Sequence, residues 1–394
     1  MFKNNRNLFI IAVIAVVNAL GYGIIIPVLY SYSVKYGLSD FQNGLLFALF
    51  SLGQFLSTPV IGRLSDKYGR RPLLIISLAG TALSFFLMAF APNAIFLFIA
   101  RALDGLTAGN IPVASAVISD TTDEKNRARG FGIIGASFGF GFVFGPTISA
   151  LTVGVSAALP FIIAGAIALL AMLMTVLMLP ETNKHIGQVV HKKLFDFKKL
   201  ATAVFDRETG LVLLITLLHA VVLGLFVYAF QPFSVKVLGL TPKNISWVFT
   251  MFGVVGLIGQ MFLVPKLSKK FGAKIATSGA LAILGVAFIW IFGIRSLFWF
   301  IPACVLLGLA NSSIMPLVQT ILSQETDAKS QGTIMGLQAS YMSVGQIAGP
   351  ILGGSLATIA ITSPFLAGGV IALICFTVSL VVVKRHATKR HTYV

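Results

Sequence analysis

The sequence predicts an all-α membrane protein with twelve spanning helices, arranged as two related six-helix bundles. Three observations predict this: the apolar composition, the spacing of the apolar runs, and a repeat between the two halves. The chain has 394 residues, of which 57% are hydrophobic and only 10% charged. A soluble domain carries roughly 25% charged residues. So few charges cannot cover a water-facing surface, and lipid must be the solvent. A hydrocarbon layer about 30 Å thick needs roughly 20 apolar residues per helix, and runs of that length occupy nearly the whole chain.

The runs fall at residues 8–30, 43–61, 73–91, 94–119, 130–155, 158–179, 209–231, 244–265, 274–294, 297–322, 333–356 and 362–383. The first follows Lys3 and Arg6. It is too long for the apolar region of a signal peptide and no small-residue cleavage site follows, so it reads as the first helix. The longest non-apolar stretch runs from Glu181 to Glu208. It divides the chain into bundles at 1–180 and 209–394, joined by a linker at 181–208. The linker is basic and contains LFDFKKLATAVF from Leu194. That segment reads equally as an amphipathic helix on the membrane surface or as a solvated linker helix.

Charge orients the spans. Of the 29 Lys and Arg residues, 24 lie on the side of the N-terminus, including Arg63, Lys67, Arg70 and Arg71. Only Lys35, Lys236, Lys243 and Arg295 lie opposite, and Arg101 is inside a span. Basic loops stay cytoplasmic, so both termini are expected in the cytoplasm of a multi-pass cell-membrane protein. The net charge of +17 is therefore topological and implies no nucleic-acid partner.

The halves are related. Shifting residues 112–150 by 204 superposes Pro112 on Pro316, Ser119 on Ser323, Thr122 on Thr326, Asp123 on Asp327 and Lys125 on Lys329. Gly132, Gly141, Gly145 and Pro146 fall on Gly336, Gly345, Gly349 and Pro350. These nine identities in 39 ungapped positions exceed the two or three that chance gives at about average usage. A parallel repeat of six helices places a substrate site at the midplane, opened by rocking one half against the other about a pseudo-two-fold axis.

Other classes lack their residues. Cys304 and Cys375 lie within apolar runs and make neither a disulfide framework nor a metal spacing. Paired intramembrane carboxylates, an HExxH cluster and a nucleophile elbow are all missing, which argues against an enzyme. No cofactor or metal is implied. A channel would show a filter loop or charged ring, and neither is visible. The expected partners are a small-molecule substrate, protons and membrane lipids, with the protein acting as a monomer.

The loop between the second and third runs reads GRLSDKYGRRP from Gly62. With twelve spans around it, this resembles the major facilitator superfamily. Gly62, Leu64, Asp66, Lys67, Gly69, Arg70 and Arg71 match that family's loop signature. The glycines permit a tight turn, and Asp66 is an acid suited to a helix N-terminus. The resemblance implies that Asp66 latches the cytoplasmic side on the eleventh helix, near Gly332, when the protein faces outward. The matching loop of the second half, PKLSKKFGAK from Pro265, has Lys269 where the acid would be.

The fourth run carries ARALDGLTAGN from Ala100. Arg101 followed by Gly105 is similar to the family's buried arginine motif. Charged groups inside a membrane are costly and usually functional. Arg101 and Asp104 are three residues apart, about 60° around a helix, and can pair. Burial favours the neutral carboxyl, whereas the guanidinium favours the carboxylate. Asp104 thus reads as a proton carrier or as half of a static ion pair. On one continuous helix Asn110 would lie opposite Arg101 and only pack.

The fifth run, from Gly132, is similar to the family's antiporter motif at Gly141, Gly145 and Pro146, with Ser149 and Ala150 where glycines are expected. Gly345, Gly349, Pro350, Gly353 and Gly354 complete the copy in the second half. Close helix packing accounts for the same glycines. The resemblance is to twelve-helix drug/proton antiporters, including tetracycline-type exporters. Several of these carry a carboxylate in the first helix, where this chain has Asn18. Asp104 must then do more of the coupling, or His219 must help.

Mixed aromatic and polar faces mark substrate contacts: Asn18 and Tyr22, Phe47 and Gln54, Phe226 and Phe230 beside His219, Asn311, and Gln338 with Tyr341. The expected function is a proton-coupled exporter of amphipathic drugs or metabolites. The alternative is a proton-coupled carrier of one sugar, lipid-linked or other metabolite.

Overall fold

The computed structural model describes residues 2–122, 124–183, 186, 197–207, 209–327 and 330–391. Among them every regular element is helical. Without water to meet the backbone, a spanning segment must satisfy its own N–H and C=O groups. Asp123, Lys329 and the start of the linker segment at Leu194 lie outside the described residues, as do the side chains of Lys3, Lys125, Arg127, Arg129, Lys389 and Arg390.

The helices are α1 (Phe2–Ile25), α2 (Leu29–Ser33), α3 (Asp40–Tyr68), α4 (Arg70–Ala89), α5 (Ala94–Thr107), α6 (Asn110–Thr121), α7 (Glu124–Thr152) and α8 (Leu159–Met178). A short α9 (Phe197–Ala203) in the linker is followed by α10 (Gly210–Lys236), α11 (Pro242–Ile258), α12 (Val264–Gly293), α13 (Leu297–Gln324), α14 (Gln331–Ala357) and α15 (Ser363–His391). Among the described residues, ten helical stretches are long and apolar enough to cross a membrane. One of them, Pro242–Gly293, covers 52 residues and holds two predicted spans. Its helix passes through a π-helical turn at Gly259–Leu263 and breaks at Gly272, where φ is +76°. The remaining predicted span is α14, less apolar because Gln338, Ser340, Ser343 and Gln346 lie within it. All twelve predicted spans thus have helical counterparts.

The fourth run departs from the expected single helix. It is two helices, α5 and α6, interrupted at Ala108 and Gly109. Pro112 has no N–H to donate to the residue at the break, and proline is tolerated in the first turn of a new helix. Gly109 leaves room for Ile61, whose side chain a Cβ there would strike at 2.2 Å. The angular argument that set Asn110 opposite Arg101 fails at this break.

Two compact units emerge from the fold: residues 1–39, 49–195 and 240–250, and residues 40–48, 196–239 and 251–394. The first has a core of Ile10, Ile14, Leu74, Leu78, Val113, Val117 and Ala168. In the second, Phe226, Phe230, Phe233, Phe288, Phe300 and Phe365 form a chain of ring contacts. This unit includes the first turns of α3. Asp40 pairs there with Lys236 at 2.8 Å, and Tyr228 donates to its carbonyl at 2.8 Å.

Each unit is seamed by glycine. A Cβ on Gly23 of α1 would lie 2.5 Å from the Gly141 carbonyl and 3.0 Å from Pro146 on α7. In the second unit a Cβ on Gly349 of α14 would lie 2.6 Å from the Val221 carbonyl and 2.7 Å from Gly224 on α10. The partners Gly23 and Gly224 were not singled out from the sequence. The repeat also appears in the backbone: among the described residues those with positive φ are Gly37, Gly69, Gly239 and Gly272, two pairs at matching places in the halves.

Substituting Gly23 by Val should therefore destabilise the protein by about 1–3 kcal/mol, the usual cost of overpacking. Gly132→Ala, where the added methyl meets nothing within 4 Å, should change stability by no more than about 0.5 kcal/mol. Thermal melting of the purified variants in detergent checks both; equal effects would remove the seam from the account.

Candidate functional site

Asn93 starts α5 by accepting a hydrogen bond from the Ile95 N–H at 3.0 Å. Two turns on, Arg101 and Asp104 are 3% and 7% exposed. Their separation of three residues puts both on one flank of α5. Gly105 lets that flank press on α3: a Cβ there would lie 2.5 Å from the Phe50 carbonyl and 3.1 Å from Gly53. Ser57 of α3 donates to the Gly105 carbonyl at 2.9 Å.

The close approach places the Arg101 guanidinium 4.4 Å from the Phe50 ring centroid, a cation–π contact. The guanidinium also donates to Asp104 Oδ2 at 3.4 Å. The second carboxylate oxygen accepts from Thr81 of α4 at 3.2 Å. Tyr22 of α1 sets its ring edge-on to Phe50, with centroids 5.6 Å apart. Four spans thus converge on one pair of opposite charges. A buried pair costs desolvation that only good geometry and further hydrogen bonds recover. Here the pair is long, and Thr81 supplies the one neutral donor beside the guanidinium.

Asn18 does not stand open toward this pair. Its amide donates to Asn110 at the start of α6 at 2.9 Å, and Asn110 is fully buried. Gln54 is half-buried on α3, whereas Phe47 is buried with the first turns of that helix. In the second unit His219 Nε2 lies 3.1 Å from Asn311 Oδ1. Phe226 and Phe230 are 1% and 0% exposed within the aromatic chain, so they fill the core rather than line a wall. Gln338 is buried and its Nε2 has no partner among the described residues. Tyr341 donates to the Leu200 carbonyl at 2.6 Å, which ties α14 to linker helix α9. Tyr22 beside Arg101 is brought to the charged pair; Phe226, Phe230 and Tyr341 are spent on packing and on the linker.

The loop from Gly62 is a dense charge network. Gly69 has φ +103°, a conformation that a side chain resists. It opens α4 so that Glu181 accepts from the N–H groups of Arg70 and Arg71 at 2.9 and 3.1 Å, an anion at a helix N-terminus. A Cβ on Gly69 would strike Glu181 Oε2 at 2.3 Å. Arg70 reaches Asp66, Ser65 and, at 3.1 Å, Asp120 at the end of α6. Arg71 donates to the Val176 carbonyl, and the Gly62 carbonyl accepts from Ser65. Asp66 is thus engaged with Arg70. In the second unit Lys274, the counterpart of Arg71, pairs with Glu325 at the end of α13. Asp120, Glu181 and Glu325 were missed. Their signal is an acid placed at a span end otherwise lined with basic residues.

The Major Facilitator Superfamily model matches residues 11–231 and 212–393. The class H tetracycline resistance protein of Pasteurella multocida is 31% identical over 381 residues, covering 88% of each chain. Multidrug resistance protein 2 of Bacillus subtilis is 30% identical over 369 residues, 92% of this chain and 91% of that protein. The quinolone resistance protein NorA of Staphylococcus aureus is 27% identical, covering 94% and 96%. Among solved structures, the human organic anion transporter MFSD10 superposes with a TM-score of 0.71 at 20% identity, covering 95% of this chain and 99% of that one. The nucleoside transporter NupG gives 0.77 at 12% identity, covering 96% of this chain and 99% of that one. At such identities the likeness is one of fold.

Gly69→Ala should lower stability by about 1–3 kcal/mol through backbone strain together with the clash with Glu181. Glu181→Ala alone forfeits the two N–H contacts, so on that background the further cost of Gly69→Ala should keep the strain and lose the clash. Thermal melting of both single variants and the double variant separates the two; no cost of Gly69→Ala on the Glu181→Ala background would mean that the left-handed backbone costs nothing.

Proposed function

Because the chain belongs to the major facilitator superfamily, we propose that it is a secondary active transporter of the cell membrane, exporting amphipathic drugs or metabolites in exchange for protons. The moving bodies are the halves 1–180 and 209–394, which rock to expose a midplane site alternately to each side. Both termini are cytoplasmic. The observation that carries the reading is the buried Arg101–Asp104 pair, held by Thr81 and Phe50 and flanked by Tyr22.

Asp104 is the only carboxylate of the sequence well inside a span. Protonating it frees Arg101 from its counter-charge, and losing the proton restores the pair. A substrate that takes up either partner shifts that balance. This is the reciprocal linkage that exchange transport needs. Tyr22 and Gln54 are the substrate contacts retained from the sequence. The relatives' names supply the first probes, tetracycline and a quinolone.

In proteoliposomes with an imposed pH gradient, the wild type should move at least one of these probes. Asp104→Asn should abolish gradient-driven movement while leaving probe binding measurable by thermal shift. Undiminished gradient-driven transport in that variant would remove Asp104 as the proton carrier.

A further inference from the structure

The two halves each hold a partly buried side-chain pair in the same place, and only one of the two can titrate. In the first half Asn18 of α1 bonds Asn110 of α6 at 2.9 Å. In the second half His219 of α10 bonds Asn311 of α13 at 3.1 Å. The separation along the chain is 92 residues in both cases. The neighbours repeat as well. Ala19 and Gly23 follow Asn18, and Ala220 and Gly224 follow His219 at the same offsets. Ala19 seats against Gly141 and Ala220 against Gly345, the matching glycines of the two seams. The pairs are thus equivalent clasps between the first and fourth spans of each half, with imidazole replacing an amide.

We propose that His219 is a proton-binding group of the second half, positioned by Asn311, so that the second clasp is proton-responsive while the first is a fixed joint. This rests on the proton-coupled reading above and assigns a second group to it. Bonded to a carbonyl oxygen, Nε2 of neutral His219 carries the hydrogen, and Nδ1 takes the incoming proton. The Nε2–H bond to Asn311 then becomes charge-assisted and strengthens. Asn311 therefore selects the tautomer and supports the imidazolium. The amide of Asn18 has no such second state.

Among the described residues of this unit, no charged side chain pairs with the imidazole. The elements packed on α10 contribute Cys304 from α13, Tyr341 from α14 and Cys375 from α15 as their titratable interior side chains. Cys375 donates to the Ile215 carbonyl one turn before His219. On α10 itself the next titratable groups are Tyr228 and Lys236, about 13 Å or more along the helix. These two hold Asp40 at the far end. A cation in an apolar setting without a partner carboxylate is costly, so the protonated state favours an arrangement that admits water. An unperturbed histidine makes that exchange between about pH 5 and 8.

The test needs no substrate. All three tryptophans, Trp247, Trp290 and Trp299, lie in the second half, so intrinsic fluorescence of the purified full-length protein reports there. Over about pH 5–8 the wild type should show a reversible fluorescence transition, and Asp104→Asn should keep it. His219→Asn, which copies the first-half clasp, should melt at the wild-type temperature yet lose the transition. Asn311→Ala should shift its midpoint. A flat wild-type curve, or an unchanged curve in His219→Asn, overturns the proposal. Loss of proton-driven transport in Asp104→Asn with His219→Asn unaffected would overturn this inference while sparing the coupling at Asp104.

Discussion

A polar group placed in hydrocarbon must find its partner within the protein. That constraint governs the chain. The backbone meets it by being helical in every described span. Arg101 meets it with Asp104 and the Phe50 ring, and Asp104 with Arg101 and Thr81. Asn18 meets Asn110, and His219 meets Asn311. Each arrangement depends on helices approaching closely, because short side chains such as Thr81 and Asn18 do not reach across a loose interface.

The glycines supply that closeness. Gly53 against Gly105 brings α3 onto α5 and sets Phe50 over Arg101; Gly23 against Gly145 seats α1 on α7 just beyond Asn18. With no hydrophobic drive between helices in lipid, such small-residue contact is what packs them. The antiporter-type motif at Gly141, Gly145 and Pro146 is in this sense a packing device. It fixes the first span, and with it Tyr22, beside the charged pair. The same geometry in the second half, with Gly224, Gly345 and Gly349, holds α10 where His219 meets Asn311.

Much of this was legible in the sequence, for physical reasons. Hydrocarbon thickness dictates span length, so twelve apolar runs gave twelve helical spans. Arg101 and Asp104 stood out because charge inside a span is costly, and their spacing predicted their pairing. The break at Ala108 and Gly109 was hidden because both residues are apolar or small and the run stays hydrophobic through them. Pro112 was the available signal. Phe226 and Phe230 looked like a ligand wall because composition does not distinguish an aromatic core from an aromatic cavity. Only the ring contacts with Phe252, Phe288 and Phe300 do. Glu181 was passed over because its partners are backbone N–H groups on α4, more than 100 residues earlier, and backbone partners leave no trace in side-chain patterns.

In the proposed exchange, substrate and proton compete through the Arg101–Asp104 pair. The most direct measurement is proton release on binding. Purified protein in weakly buffered detergent, with a pH indicator, is mixed with whichever probe it transports. The account predicts proton release on binding in the wild type under mildly acidic conditions, and none in Asp104→Asn at equal probe occupancy. The same release from both proteins would contradict it.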